Sequence, residues 1–368
     1  MSTAQPLGAI SVRGANGNTV PGSTPPLGGR KLLDQWGRTA TDLRISLIDK
    51  CNLRCVYCMP AEGLQWLHKD NLLSLDEVVR LARIGVRDLG VEEIRFTGGE
   101  PLVRADFPEI LRQIRAEFPE VPLSVTTNGI GLEKKIDELI DAGLTRLNVS
   151  MDTICRETFA KLTRRDRLDD VIRGIDYAAS RGISPIKINA VLMPGVNDHE
   201  APEIVDWALE RGYQLRFIEQ MPLDADHNWD RDNMITAHQM REMVERTYDL
   251  TPHPVPRKSS PAMLWDVLEK GTTRVLGQIG IIASVTEPFC SACSRTRITS
   301  DGKVRSCLFS LTETDLMGAL RSGASDEEVA DIWRGAMWSK PAAHGKNSAG
   351  FEAEDFVQPE RSMSAIGG

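Results

Sequence analysis

The sequence predicts an α/β fold around a parallel sheet, and three observations carry that reading. From residue 43 to residue 219, six strand-like runs are separated by helix-length segments, an alternation that builds a parallel sheet, open or rolled. Each run alternates apolar and polar residues. No Gly-x-Gly-x-x-Gly follows the first run, which argues against a dinucleotide-binding sheet.

The elements follow in order. Leu43–Ile48 is the first strand, and a loop with Cys51, Cys55 and Cys58 comes directly after it. Ser74-Leu-Asp-Glu77 is a capping box. It opens a helix with apolar residues at Val78, Val79, Leu81, Ala82 and Val86, ended by Gly90. Strands at Ile94–Thr97, Leu123–Thr126, Arg146–Ser150, Ile186–Leu192 and Leu215–Glu219 alternate with helices. Those helices are Phe107–Phe118, Leu132–Ala142, Arg156–Leu162, Leu168–Ser180 and Ala201–Arg211.

The alternation within the strands decides the shape. Parallel strands covered by helices on both faces are apolar throughout. Here Arg44, Ser46, Arg95, Thr97, Ser124, Thr126, Asn148, Ser150, Lys187, Asn189 and Arg216 interrupt the apolar set. The apolar set faces the helices, so the polar set lines an enclosed interior. This predicts a curved sheet or partial barrel with a site inside it. An antiparallel sheet with six wetted faces would need hairpin turns, and the connections are helix-length crossovers instead.

After Asp224 the pattern changes. A helix at His238–Thr247 and a Pro-rich loop, Thr251–Pro261, precede short strands near Val275–Ser284 and Thr296–Thr299. Ser325-Asp-Glu-Glu328 caps a last helix, with Val329, Ile332, Trp333, Ala336 and Met337 on one face. The expected organisation is a disordered leader at 1–30, the barrel at 31–235, a smaller C-terminal domain at 236–340, and a polar tail at 341–368 ending in Gly367-Gly368.

Composition narrows the function. Across 368 residues, 41% are apolar and 26% charged, a normal soluble balance. No apolar run reaches the ~18 residues of a membrane span, so the reading is cytoplasmic with no membrane partner. A net charge of −8 argues against general nucleic-acid binding, which needs surplus Lys and Arg. Local cations still allow an anionic small molecule.

Six of the seven cysteines form two groups, Cys51/Cys55/Cys58 and Cys290/Cys293/Cys307. In a reducing compartment clustered thiols mean metal or redox chemistry. Cys155 stands alone and reads as an ordinary half-buried residue. Three thiolates are one fewer than the four that close most zinc or iron–sulfur sites, leaving one metal position for a non-protein ligand. Zinc readings stay open at this point: a knuckle completed by His68, or a ribbon completed by His253 or His344.

The spacing Cys-x3-Cys-x2-Cys, with Tyr57 before its last cysteine, resembles the radical S-adenosylmethionine (SAM) superfamily. So does Gly98-Gly99-Glu100-Pro101 just past the second strand. Further stretches are Asp42-Leu-Arg-Ile-Ser46, Arg95-Phe-Thr-Gly-Gly-Glu-Pro-Leu102, Thr126-Thr-Asn-Gly129, Leu147-Asn-Val-Ser-Met-Asp152, Arg216-Phe-Ile-Glu219, Phe289-Cys-Ser-Ala-Cys-Ser-Arg-Thr-Arg297 and Gly367-Gly368. Together they resemble the GTP 3′,8-cyclase family of molybdenum-cofactor biosynthesis. The resemblance covers residues 30–310 and the last two glycines, with no departure at a motif position.

That resemblance implies a partial β6α6 barrel of the radical SAM type and a C-terminal domain carrying a second cluster. It implies two [4Fe-4S] clusters, one on Cys51, Cys55 and Cys58 that binds SAM, one on Cys290, Cys293 and Cys307 that holds the guanine. Spacing alone fits several cluster types. The implied reaction cleaves SAM reductively, and the 5′-deoxyadenosyl radical takes hydrogen from C3′ of GTP to give 3′,8-cyclo-7,8-dihydro-GTP. Tyr57, Gly99, Ser150 and Met221 carry over to SAM; Arg44, Arg95, Thr126, Lys187, Arg295 and Arg297 carry over to GTP. The implied partners are GTP, a one-electron donor that the sequence does not identify, and a downstream enzyme taking the cyclic product. A homodimer is an open expectation. The competing readings are another radical SAM enzyme with an auxiliary cluster, which usually brings more cysteines after the barrel, and a zinc-stabilised binding protein.

Overall fold

The computed structural model describes residues 28–344 and 357–367. Most of the leader, residues 1–27, lies outside them, as do residues 345–356 of the tail and Gly368. The first half is a run of β/α units: β1 (Asp42–Ser46), α1 (Leu75–Leu89), β2 (Glu93–Thr97), α2 (Phe107–Glu117), β3 (Leu123–Thr127), α3 (Ile136–Asp141), β4 (Arg146–Ser150), α4 (Arg156–Thr163), α5 (Leu168–Ser180), β5 (Ile186–Val191), α6 (Ala201–Glu210) and β6 (Gln214–Ile218). The rest comprises α7 (Ala237–Glu245), β7 (Tyr248–Pro252), β8 (Met263–Glu269), β9 (Val275–Ile282), β10 (Arg295–Ile298), β11 (Lys303–Arg305), β12 (Thr314–Asp315), α8 (Met317–Arg321), α9 (Asp326–Trp338) and α10 (Met363–Ile366).

Local chemistry explains most boundaries. Ser74 and Glu77 form the expected reciprocal cap on α1, and Gly90 ends it in the left-handed conformation. Ser325 and Glu328 cap α9 in the same way. The helix expected at Leu132–Ala142 is split into a 3₁₀ turn at Leu132–Lys134 and α3. Gly174 of α5 rests against that turn, where an added Cβ would come 2.9 Å from Leu132 Cβ.

The twelve strands of the described residues belong to one sheet, ordered β12-β11-β10-β1-β2-β3-β4-β5-β6-β9-β8-β7. The six expected strands are contiguous and parallel, β1 through β6. Two strands expected in the smaller C-terminal domain extend this wall: β9 pairs parallel with β6, and β10 parallel with β1. Residues 283–294 therefore run from one side of the wall to the other. Only Thr251 and Pro252 of the segment expected as a Pro-rich loop fall in a strand, as the end of the edge strand β7, where Pro252 lies opposite Trp265 of β8 and an edge position tolerates its missing N–H.

The alternation holds in three dimensions. Leu43, Ile45, Ile94, Phe96, Leu147 and Val149 are fully buried against the helices. The intervening Arg44, Ser46, Thr97, Ser124, Asn148 and Arg216 are buried too, although polar. They face an interior rather than solvent.

Glu219 ties this wall together. Its carboxylate accepts hydrogen bonds from Ala237 N at 2.8 Å, Val285 N at 2.7 Å and Thr286 N at 2.9 Å, and from the Thr286 hydroxyl. One side chain thus joins the end of β6, the start of α7 and the segment after β9. Glu219→Gln turns an acceptor into an amide that presents N–H groups to N–H groups. We expect a loss of about 3 kcal/mol of stability, read as a lower urea midpoint at unchanged m-value.

Candidate active site

The interior is a cavity of about 310 Å³, bordered by all six clustered cysteines. The two triads enter it from opposite ends. Cys51, Cys55 and Cys58 lie past the C-terminal end of β1. Cys290 and Cys293 lie just before β10, whose first residue, Arg295, pairs with Asp42 at the start of β1.

Backbone hydrogen bonds seat the first loop. Gly99 N donates to Ile48 O at 2.6 Å and Glu100 N to Lys50 O at 2.8 Å. Glu100 is fully buried and accepts from Leu102 N at 2.9 Å, the Thr127 hydroxyl at 2.7 Å and Asn128 N at 2.7 Å. Burial raises its carboxyl to about 7. Asn128 reaches back to Cys51 Sγ at 3.7 Å, and Leu53 N donates to the same sulfur at 3.4 Å. The Tyr57 hydroxyl donates to Asp152 at 2.7 Å, whose other oxygen accepts from Val191 N at 2.9 Å.

Burial pushes the Cys51 thiol up to about 11 and Cys58 to about 12, and raises Cys55, which also feels Asp152. Near neutral pH these thiols hold their protons until a metal displaces them. Three convergent thiols with hydrogen-bond donors at one sulfur fit an iron–sulfur cluster. At the other triad, burial alone would raise Cys293, but Lys340 and Arg295 outweigh it and bring the thiol to about 6. Its sulfur lies 3.4 Å from Lys340 Nζ and 3.5 Å from Arg295 Nη1. Neither triad is a ready-made single-ion site: among the described residues, no three His, Cys, Asp or Glu side chains are gathered for one.

Between the triads lies a row of arginines. The register pairs Arg297 with Arg44 and Arg44 with Arg95, so three neighbouring strands present arginine at one level. Arg295 and Asp42 sit one inward position lower, with Asp42 3.7 Å from both Arg44 and Arg295. Burial works against the Asp42 charge, yet Arg44, Arg95, Arg295 and Arg297 hold its carboxyl below the usual range. Burial and then the like charge of Arg295 lower Arg297 to about 10; burial and then Arg95 lower Arg216 to about 9. Cations that depress one another are relieved by an incoming anion. The hydrogen-bond inventory agrees, because Arg44 Nε, Arg216 Nε, Ser46 Oγ, Thr97 Oγ1 and Asn189 Oδ1 are buried without a hydrogen-bond partner among the described residues. Such groups suit a polar ligand.

Among the residues singled out in the sequence, Tyr57, Gly99, Ser150, Met221, Arg44, Arg95, Thr126, Arg295 and Arg297 all border the cavity. Lys187 does not. It stands on β5 two residues before Asn189, which does border it, and pairs with Gln214. Burial, then Arg216, Arg95 and Arg146, lower it to about 8. Arg216 itself borders the cavity and donates to Asn148 at 2.7 Å. Its place on the inward stripe was the signal for it. Gly367 enters from the tail, and Arg297 Nη1 donates to its carbonyl at 2.7 Å. His344 comes beside the second triad, its Nε2 2.9 Å from Ser284 O. His68 is exposed beside Asp70, and His253 pairs with Asp266 at 2.8 Å on β8. Cys155 donates to Glu157 at 3.2 Å, apart from both triads.

A parallel partial barrel with Cys-x3-Cys-x2-Cys past its first strand defines the class of radical SAM proteins. The family model described as "Radical SAM superfamily" matches residues 45–208, and the one described as "Molybdenum Cofactor Synthesis C" matches residues 213–346. The GTP 3′,8-cyclase of Paenarthrobacter nicotinovorans is 57% identical over 355 residues, covering 95% of this chain and 100% of that protein. That of Mycolicibacterium smegmatis is 51% identical over 366 residues, covering 100% of both. The chain belongs to the GTP 3′,8-cyclase family. Among solved structures, Streptococcus suis SuiB bound to S-adenosylmethionine matches 81% of this chain and 64% of its own, at 19% identity and a TM-score of 0.54. That likeness shows the fold.

Proposed function

We propose that this chain is a GTP 3′,8-cyclase acting in molybdenum-cofactor synthesis, a radical SAM lyase. The observation that carries the reading is one cavity with a thiol triad at each end and the row Arg297, Arg44, Arg95 between them. Cys51, Cys55 and Cys58 would hold one [4Fe-4S] cluster, and Cys290, Cys293 and Cys307 a second. The chemistry they supply when bound is one-electron reduction of SAM, whose 5′-deoxyadenosyl fragment takes hydrogen from C3′ of GTP so that C3′ joins C8.

The chain's own part is binding and orientation. Tyr57, Gly99, Ser150 and Met221 border the cavity at the ends of β1, β2, β4 and β6, on the side of the first triad. We assign SAM to them. Arg44, Arg95, Thr126, Arg295 and Arg297 border the same interior, and we assign GTP to them with Lys187, which the register sets level with Thr126 through Asn148. About four negative charges on the nucleotide would relieve the mutual repulsion of these cations. Arg216 joins this set by position.

Among the described residues no helix is long and apolar enough to cross a membrane. We place the protein in the cytoplasm, with an unidentified one-electron donor, a downstream enzyme for the cyclic product and a homodimer as further expectations. The direct test incubates anaerobically purified, reduced protein with SAM and GTP. Formation of 5′-deoxyadenosine together with the cyclised nucleotide is expected, and neither appearing defeats the reading. Cys307→Ala divides the two ends: it should still cleave SAM and yield little cyclic product, as both are quantified by chromatography. Normal cyclisation by that variant would remove the second triad from substrate binding.

A further inference from the structure

One buried cation has no part in the chemistry proposed so far. Lys340 follows α9 and is only 3% exposed. Its Nζ donates to Arg295 O at 2.8 Å and lies 3.3 Å from Cys293 O and 3.4 Å from Cys293 Sγ. No carboxylate pairs with it among the described residues. A lysine is seldom buried unless its charge is matched, and the group on hand to match this one is the Cys293 thiolate.

The segment carrying Lys340 is clamped from far away in sequence. Trp36 Nε1 donates to Lys340 O at 3.1 Å. Arg38 donates to Pro341 O at 2.6 Å, to Ala342 O at 2.7 Å and to Cys290 O at 2.7 Å. Asp34, itself buried, orients Arg38 through its Nε at 2.5 Å. Residues 34–38 thus fix the cysteine loop and the lysine to one another, so the ammonium is aimed at the sulfur.

We propose that Lys340 is a positioning residue of the second cluster, donating a charge-assisted hydrogen bond to the Cys293 thiolate and raising the cluster's reduction potential. This rests on reading the second triad as a cluster. The physics is general: taking up an electron makes a cluster more negative, and a cation against a ligand sulfur stabilises that state. Such outer partners are a main means by which proteins tune metal centres.

The test uses the full chain in a Cys51→Ala/Cys55→Ala/Cys58→Ala background, where only the second cluster forms and its spectrum is read alone. Iron content and an EPR-monitored redox titration are compared for Lys340→Met, which keeps the length and removes the charge, and Lys340→Arg, which keeps it. The expected result is retained iron in both, a lower potential in Lys340→Met, and a potential near the parent's in Lys340→Arg. Equal potentials in the parent and Lys340→Met, or equally low ones in both variants, overturn the proposal. Should Lys340→Met lose its iron, retention by Lys340→Arg supports the role of the charge, and loss from both overturns it. A parent without iron defeats the cluster reading itself, an outcome distinct from an unshifted potential.

Discussion

Replacing Gly99 with alanine is expected to abolish SAM cleavage while leaving the barrel folded. A Cβ at this position would lie 2.2 Å from Asp49 O and 2.4 Å from Lys50 O. Both are backbone atoms of the two residues that precede Cys51. Neither can rotate aside, so the cysteine loop itself must move. The hydrogen bonds from Gly99 N to Ile48 O and from Glu100 N to Lys50 O then stretch or break. The neighbouring Gly98 is equally constrained, with φ +153° and Ile48 O 2.4 Å from its would-be Cβ. A displacement near 1 Å at a reacting centre costs on the order of 100-fold in rate, and here the loop that carries all three thiols moves. The measurement is 5′-deoxyadenosine formed per minute, with iron content beside it. Far-ultraviolet circular dichroism should stay unchanged, because the clash is confined to two loops. A Gly99→Ala enzyme that cleaves SAM at the wild-type rate would show that the loops do not depend on this contact.

Much of this site is legible in the amino-acid sequence, because its signals are local. Alternation of period two places Arg44, Arg95 and Arg216 on the side away from the helices, whatever the rest of the chain does. The spacing of Cys51, Cys55 and Cys58 on one short loop is likewise local. What escapes is what depends on pairing between distant segments. That β9 and β10 join the barrel wall follows from partners at β6 and β1, more than sixty and two hundred and fifty residues away. Parity places Lys187 inward but does not bring it to the cavity: it pairs with Asn148 and Gln214, and none of the three borders the cavity. Arg38 and Lys340 carry no motif at all; they meet the second triad only because residues 36–38 and 340–342, far apart in sequence, pack together beside it.

Gly367→Ala is expected to separate the two halves of the reaction, keeping SAM cleavage and cutting cyclisation by roughly 100-fold. Gly367 has φ +84°, a conformation that costs other residues about 1–2 kcal/mol. The space is closed as well. Its Cβ would meet Thr97 Oγ1 at 2.4 Å and Ser46 Cβ at 3.0 Å. Ser46 Cβ is fixed to the backbone of β1, so the tail tip and not the wall must yield. Ser46 and Thr97 pair with one another directly above the level of Arg44 and Arg95. The tip therefore occupies the layer between the first triad and the arginine row, where its carbonyl accepts from Arg297. The rest of the tail is anchored independently. Arg361 pairs with Asp301 at 2.7 Å and with Glu313 at 2.8 Å, and Met363 N donates to Leu223 O at 3.0 Å. Those contacts are untouched by the substitution, so the variant should fold and carry its iron normally. Only Arg297, released from its carbonyl, loses its bearing on the substrate. The expected signature is 5′-deoxyadenosine produced without matching cyclic product, and tight coupling of the two in Gly367→Ala would show that the tail tip is not part of the substrate's seat.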